Sequence, residues 1–251
     1  MRTGALVVLA SVAIACGGGG LFKQYEYEED CYVSLDGTAT VYVNSSLAAL
    51  NALRGTSFDT TPDAVPDLDG VRRYFTTPYS NVARLTTTRR NGRRYVHVRI
   101  ETSDLRRLSE AAPFSWSSYQ LDEAGGEVIF RQAIGKGTTA SPGPVEWRGD
   151  EIVAFRLHMP SRILFHNSPF GVQRGNILAW EQPLNERLRG EPIEIEARVE
   201  PQSILYTTLL LFAGTILAVA LTFLLAIWWV LRFGRRTRNP APRTKNQEPE
   251  P

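Results

Sequence analysis

From Ile204 to Leu231 the chain runs through 28 residues without a charge and then meets Arg232, Arg235, Arg236 and Arg238. No other stretch limits the possible folds so tightly. A helix advances about 1.5 Å per residue and about 20 apolar residues cross the hydrocarbon core, so this run spans a bilayer with length left for tilt and anchoring. Lys and Arg collect on cytoplasmic flanks, and residues 232–251, basic and Pro-rich, hold six basic residues against Glu248 and Glu250. The tail is therefore expected in the cytoplasm and everything before Ile204 outside it. Tyr206, Trp228 and Trp229 fall where aromatic anchors meet the two interfaces.

The other terminus fits the same orientation. Arg2 followed by the apolar stretch Ala5 to Ala15 has the form of an export signal, too short to span a membrane, over residues 1–15. It ends Ala13-Ile14-Ala15-Cys16, which obeys the small-residue cleavage rule and resembles a bacterial lipobox. Cys16 is then the first mature residue and the expected lipid-attachment site, with Gly17 to Gly20 as tether. Cys31 is the only other cysteine, so a Cys16–Cys31 disulfide is the alternative use of Cys16.

Residues 21–203 remain for an extracytoplasmic domain, enough chain for a hydrophobic core. They carry 24 acidic and 21 basic residues, which gives no footing for a nucleic-acid surface. Period-2 alternation broken by turn dipeptides dominates. Cys31, Val33 and Leu35 alternate before Asp36-Gly37, and Ala39, Val41 and Val43 after it, which predicts a two-residue hairpin. Asn91-Gly92 marks a second hairpin, with Val96, Val98 and Ile100 on one face of the return strand. A third joins Trp116–Leu121 to Val128–Ile134 across Asp122–Gly126, and further strands are predicted at Ile152–His158, Ile163–His166, Ile177–Trp180 and Ile193–Val199. Helix is confined to Ser46–Leu53, stopped by Gly55, and Asp104–Ala111, started by Ser103, while Thr56–Pro66 reads as loop. The expected fold class is α+β, dominated by antiparallel sheet, plus the C-terminal transmembrane helix over residues 204–231.

No stretch announces a reaction. There is no Gly-x-Ser-x-Gly elbow, no Cys-x-x-Cys and no zinc spacing, and His97, His158 and His166 make no motif. His97 sits between Val96 and Val98 and reads as a sheet-face imidazole. Ile134-Gly135-Lys136-Gly137-Thr138 lacks the first glycine of a phosphate loop and is expected to end a strand. Asp150 and Glu151, neighbours on a strand, point to opposite faces. The expectation is a non-enzymatic protein with no cofactor and no metal. Asn44-Ser45-Ser46 fits a glycosylation sequon, the mark of a eukaryotic type I alternative.

Two clusters stand out as candidate contacts. Arg89, Arg90, Arg93 and Arg94 surround the Asn91-Gly92 turn, where exposed guanidiniums would meet anionic headgroups at about 1 kcal/mol each, although a merely solubilising tip fits the same residues. In the apolar run Gly214, Ala218 and Thr222 fall at i, i+4 and i+8, a stripe of small groups suited to helix pairing as well as to plain anchoring.

Leu157-His158-Met159-Pro160 through Asn167, then Gly175-Asn176-Ile177-Leu178-Ala179-Trp180 and Glu194-Ile195-Glu196-Ala197, resemble the bacterial LppM-like lipoproteins. So does the layout of lipobox, early hairpin and terminal membrane helix; Pro160-Ser161 stands where that family has Pro-Gly. The resemblance implies an α+β envelope domain that binds lipid or glycolipid and brings no catalytic residues. The expected protein is a cell-envelope lipoprotein of the cytoplasmic membrane with membrane lipid as partner. The alternative is an assembly subunit that holds a membrane-protein partner.

Overall fold

The computed structural model describes residues 23–138 and 140–233. The expected export signal, Cys16 with its tether, and the tail from residue 234 lie outside the described residues. The chain divides into two units at Ser203/Ile204.

The first unit is sheet-dominated α+β, as its alternation implies. A six-stranded sheet has the order β3-β4-β2-β1-β7-β9, from β1 (Gln24–Val33), β2 (Ala39–Ser46), β3 (Asn81–Arg90), β4 (Arg93–Thr102), β7 (Glu151–His158) and β9 (Ile177–Pro183). A four-stranded sheet has the order β5-β6-β10-β8, from β5 (Ser117–Ala124), β6 (Glu127–Ile134), β8 (Ile163–His166) and β10 (Ile193–Val199). Every pairing is antiparallel except β1 with β7. That parallel pair needs a long crossover, here residues 34–150, so no local turn announces it.

Turn chemistry fixes two hairpins as expected and a third with a difference. At Asn91-Gly92 both φ angles are positive, 51° and 74°, and Arg90 pairs with Arg93, which is a two-residue primed turn. Gly125-Gly126 closes β5 onto β6 in the same way, with φ 63° and 79°. The Asp36-Gly37 turn is longer than expected: Gly37 N donates to Ser34 O (3.1 Å), Ser34 N donates to Thr38 O (2.9 Å), and Gly37 sits at φ 89°. That is a three-residue loop, a turn followed by a left-handed residue.

Helix α1 (Leu47–Arg54) starts where the Ser46 hydroxyl accepts from Ala49 N and stops at Gly55, φ 71°. All eight of its residues are buried, and it packs against β1, β2, β4 and α3 (Leu184–Arg189). The expected helix at 104–111 is a 3-10 segment, Leu105–Glu110, and its cap is Asp104, not Ser103. Helix α2 (Leu68–Phe75) was not expected; Asp67 caps it through Gly70 N at 2.7 Å, and Val71 and Phe75 enter the core.

Side chains fill the space between the two sheets. Tyr27 meets Trp116 edge-on with centroids 5.5 Å apart, Trp116 meets Phe155 at 5.8 Å, and Phe130, Ile134 and Val153 are fully buried around them. Cys31 belongs to this core as a free, buried thiol whose pKa burial pushes far up.

The second unit contains α4 (Ile204–Phe233), whose residues Ile204–Arg232 are long and apolar enough to cross a membrane. Thr208, Thr215 and Thr222 each donate their hydroxyl to the carbonyl four residues earlier at 2.8 Å, so these polar groups are satisfied within the helix.

Candidate functional site

Strand β1 carries the unusual chemistry of the fold. Its sequence, Gln-Tyr-Glu-Tyr-Glu-Glu-Asp-Cys-Tyr-Val, places Glu26 and Glu29 in the interior together with Tyr27, Cys31 and Val33. A bulge between Tyr25 and Tyr27 in the pairing with β7 breaks the alternation and lets Glu26 and Tyr27 both be buried.

Between the sheets, Glu29 pairs with Arg54 at 2.9 Å, both side chains only 2% exposed. Its other hydrogen bonds come from Tyr27 OH (2.8 Å), Tyr119 OH (3.1 Å) and Gln132 Nε2 (3.3 Å). Arg54 also donates to the Tyr27 hydroxyl, and its guanidinium lies 3.5 Å from the centre of the Trp116 ring. Burial drives the Tyr27 and Tyr119 hydroxyls well up, Tyr119 with the help of the Glu29 charge, so both stay neutral. Burial pulls Arg54 down, but Tyr27 and Glu29 more than offset it and the group stays charged. A second buried guanidinium, Arg187, donates to Gly135 O at 2.7 Å; burial and the Arg54 charge lower its pKa.

The arginine turn is not one cationic tip. Arg93 folds inward, its side chain 12% exposed, to Glu26 at 2.5 Å and Glu151 at 3.3 Å, and it donates to Glu146 O at 2.7 Å. Arg94 is half-buried. Arg90 donates to Tyr25 O (3.0 Å) and lies over the Tyr95 ring at 4.3 Å, while Arg89 faces Asp63 at 3.5 Å. The expectation of four exposed guanidiniums is thus corrected: Arg89 and Arg90 remain at the surface, and Arg93 neutralises two carboxylates that would otherwise be buried unpaired. Burial raises Glu151, but the N–H groups of Arg148 and Gly149, both 2.8 Å away, and the Arg93 charge bring it below its ordinary value.

The outer face of the larger sheet is polar. Arg156 bridges Glu28 (2.8 Å) and Asp30 (3.1 Å), and the His158 ring stacks on Tyr32 at 3.8 Å. His97 does lie on the sheet face, between Asn44 (2.9 Å) and Thr88 (2.8 Å), so the sequon asparagine is committed to a central strand. Burial lowers both His97 and His158. A hollow of about 320 Å³ beside Tyr32 is bordered by Ser34, Thr38, Thr40 and Glu101. Gly135–Thr138 does follow the end of β6 and is a seam: Thr138 N donates to Leu53 O at 3.1 Å, and a Cβ on Gly137 would stand 2.7 Å from that oxygen. Gly214, Ala218 and Thr222 lie on α4, with Ala218 and Thr222 bordering a shallow depression together with Ala226. Among the described residues no three His, Cys, Asp or Glu side chains converge as metal ligands.

No protein-family model matches the chain, and no curated protein matches it. Among solved structures, the NMR structure of the folded domain of Mycobacterium tuberculosis LppM aligns with 73% of this chain and 94% of that chain, at 14% identity and a TM-score of 0.40.

Proposed function

We propose that the protein is a bacterial cell-envelope lipoprotein held in the cytoplasmic membrane by α4 and by lipid on Cys16. Its extracytoplasmic α+β unit engages membrane lipid, glycolipid or another envelope component without catalysing a reaction. The observation that carries this reading is the uncharged helix of exposed apolar side chains that begins directly after the folded unit and ends at a basic flank. Arg89 and Arg90 are the surface cations left to meet anionic headgroups. The test is mass spectrometry of the full-length protein extracted in mild detergent. The expected result is a diacylglyceryl modification at Cys16 and phospholipid or glycolipid retained in stoichiometric amount.

A second reading, an assembly subunit, draws on the shallow depression along α4, where Ala218, Thr222 and Ala226 lie beside Val219 and Phe223. A stoichiometric protein partner, lost when residues 204–231 are exchanged for an unrelated apolar helix, would favour it over the first.

A further inference from the structure

Four apolar side chains, Leu164, Phe165, Phe170 and Val172, are between 43% and 49% exposed within nine residues of chain. Single exposed hydrophobics are ordinary on a folded surface; a run of large ones marks a surface that something covers. The cause is local. Val199 pairs with Ile163 and Arg198 with Phe165, which leaves Leu164 as the extra residue of a bulge, and a bulge re-aims side chains. Beyond β8, Asn167 is fixed to β10 by Nδ2 donating to Glu194 O (2.8 Å) and Oδ1 accepting from Glu196 N (3.0 Å). Ser168 Oγ then donates to Ala179 O of β9 at 2.7 Å. Strands β8 and β9 are edge strands of different sheets, so this segment joins two sheet edges along one flank while its apolar side chains stay outside.

Both ends of the folded unit reach the same flank. Lys23 Nζ stands 5.4 Å from the Phe170 ring centre and pairs with Glu181 of β9. At the other end, Glu200 N donates to Arg162 O at 3.0 Å and Ser203 Oγ to Pro160 O at 3.5 Å. The stretch from Arg162 to Phe170 therefore runs from the last residues of the unit to its first described one. In sequence, Cys16 lies seven residues before Lys23 and the apolar helix begins one residue after Ser203.

We infer that this flank rests on the bilayer itself, with Leu164, Phe165, Phe170 and Val172 in the boundary between headgroups and acyl chains. Membrane lipid is the occupant because both proposed anchors leave from the edges of the patch and tether it to a bilayer. The exposed Arg174, which has no ion-pair partner among the described residues, supplies a cation that such a seat uses at an anionic surface. The inference rests on the proposed anchoring and adds to it which surface faces the lipid.

The test uses full-length protein in vesicles of mixed zwitterionic and anionic phospholipid. Phe165, Phe170, Glu123 and Phe212 are replaced one at a time by the photocrosslinking residue p-benzoylphenylalanine. Lipid adducts at positions 165 and 170 on the order of tenfold above position 123, with position 212 of the helix also lipid-linked, are the expected result. Lipid adducts at 212 but not at 165 or 170 overturn the docking surface and leave the anchor standing. Protein adducts at 165 and 170 overturn it in favour of a partner or a second copy. Absence of lipid adducts at 212 removes the anchor, and the inference with it.

Discussion

Phe130 and Phe155 are sealed inside the α+β unit, whereas Phe212 and Phe223 of α4 are each 66% exposed. Charges reverse the pattern: the α+β unit buries Glu26, Glu29, Arg54 and Arg187, while α4 has no charge before Arg232. The first unit folds against water, hiding apolar groups and accepting interior charge wherever a partner is fixed. An exposed apolar helix in which the hydroxyls of Thr208, Thr215 and Thr222 are satisfied internally is what the proposed membrane span requires of a segment in an apolar solvent.

Removing Arg54 should do the most damage to this contrast. Arg54→Met leaves Glu29 buried without its cation and is expected to cost about 3–5 kcal/mol, read from denaturation midpoints of the full-length protein in detergent. Adding Glu29→Leu should cost less than the two single changes summed, and strict additivity would show that the pair does not act as one unit. Next comes the converse change in the helix: Leu217→Arg should cost about 2.5–3.5 kcal/mol of insertion and, combined with Cys16→Ala so that no lipid holds the chain, release protein into the soluble fraction on alkaline extraction. Unaltered retention would break the comparison at its second half.

Arg93→Ala is expected to lose about 2 kcal/mol, because charged hydrogen bonds to Glu26 and Glu151 go with it. Glu151 adds a pH signature. Its folded pKa lies below the ordinary value of 4.5, so its contribution is complete above that value and is lost as the pH falls through the lower folded value. The stability gap between wild type and Glu151→Gln should be full at neutral pH and close in acid; a gap independent of pH would show that the carboxylate is not held ionised. Smallest of all, Arg89→Ser should change stability by less than about 0.5 kcal/mol, and a loss equal to that of Arg93→Ala would erase the division within the turn.

The hairpins and the apolar helix were legible because their signals are local. Asn91-Gly92 needs positive φ at two adjacent residues, and 28 uncharged residues admit few environments. The first half of β1 was not legible: Glu26 and Glu29 look like solvent-facing residues, and what brings them inside is Arg54, Arg93 and Tyr119, 25 to 90 positions away. Helix α2 has little signal in the sequence because Gly70 weakens its propensity, although a Cβ there would collide with the capping carboxylate of Asp67 at 2.1 Å. The inward turn of Arg93 had no sequence signal distinct from that of Arg89; only the packing of the β3–β4 turn against β1 separates them.

Membrane topology tests the central claim most directly. Protease added to spheroplasts is expected to digest residues 23–203, and a reporter fused after Pro251 should be active only in the cytoplasm. A protected α+β unit with a reporter accessible from outside would contradict the account.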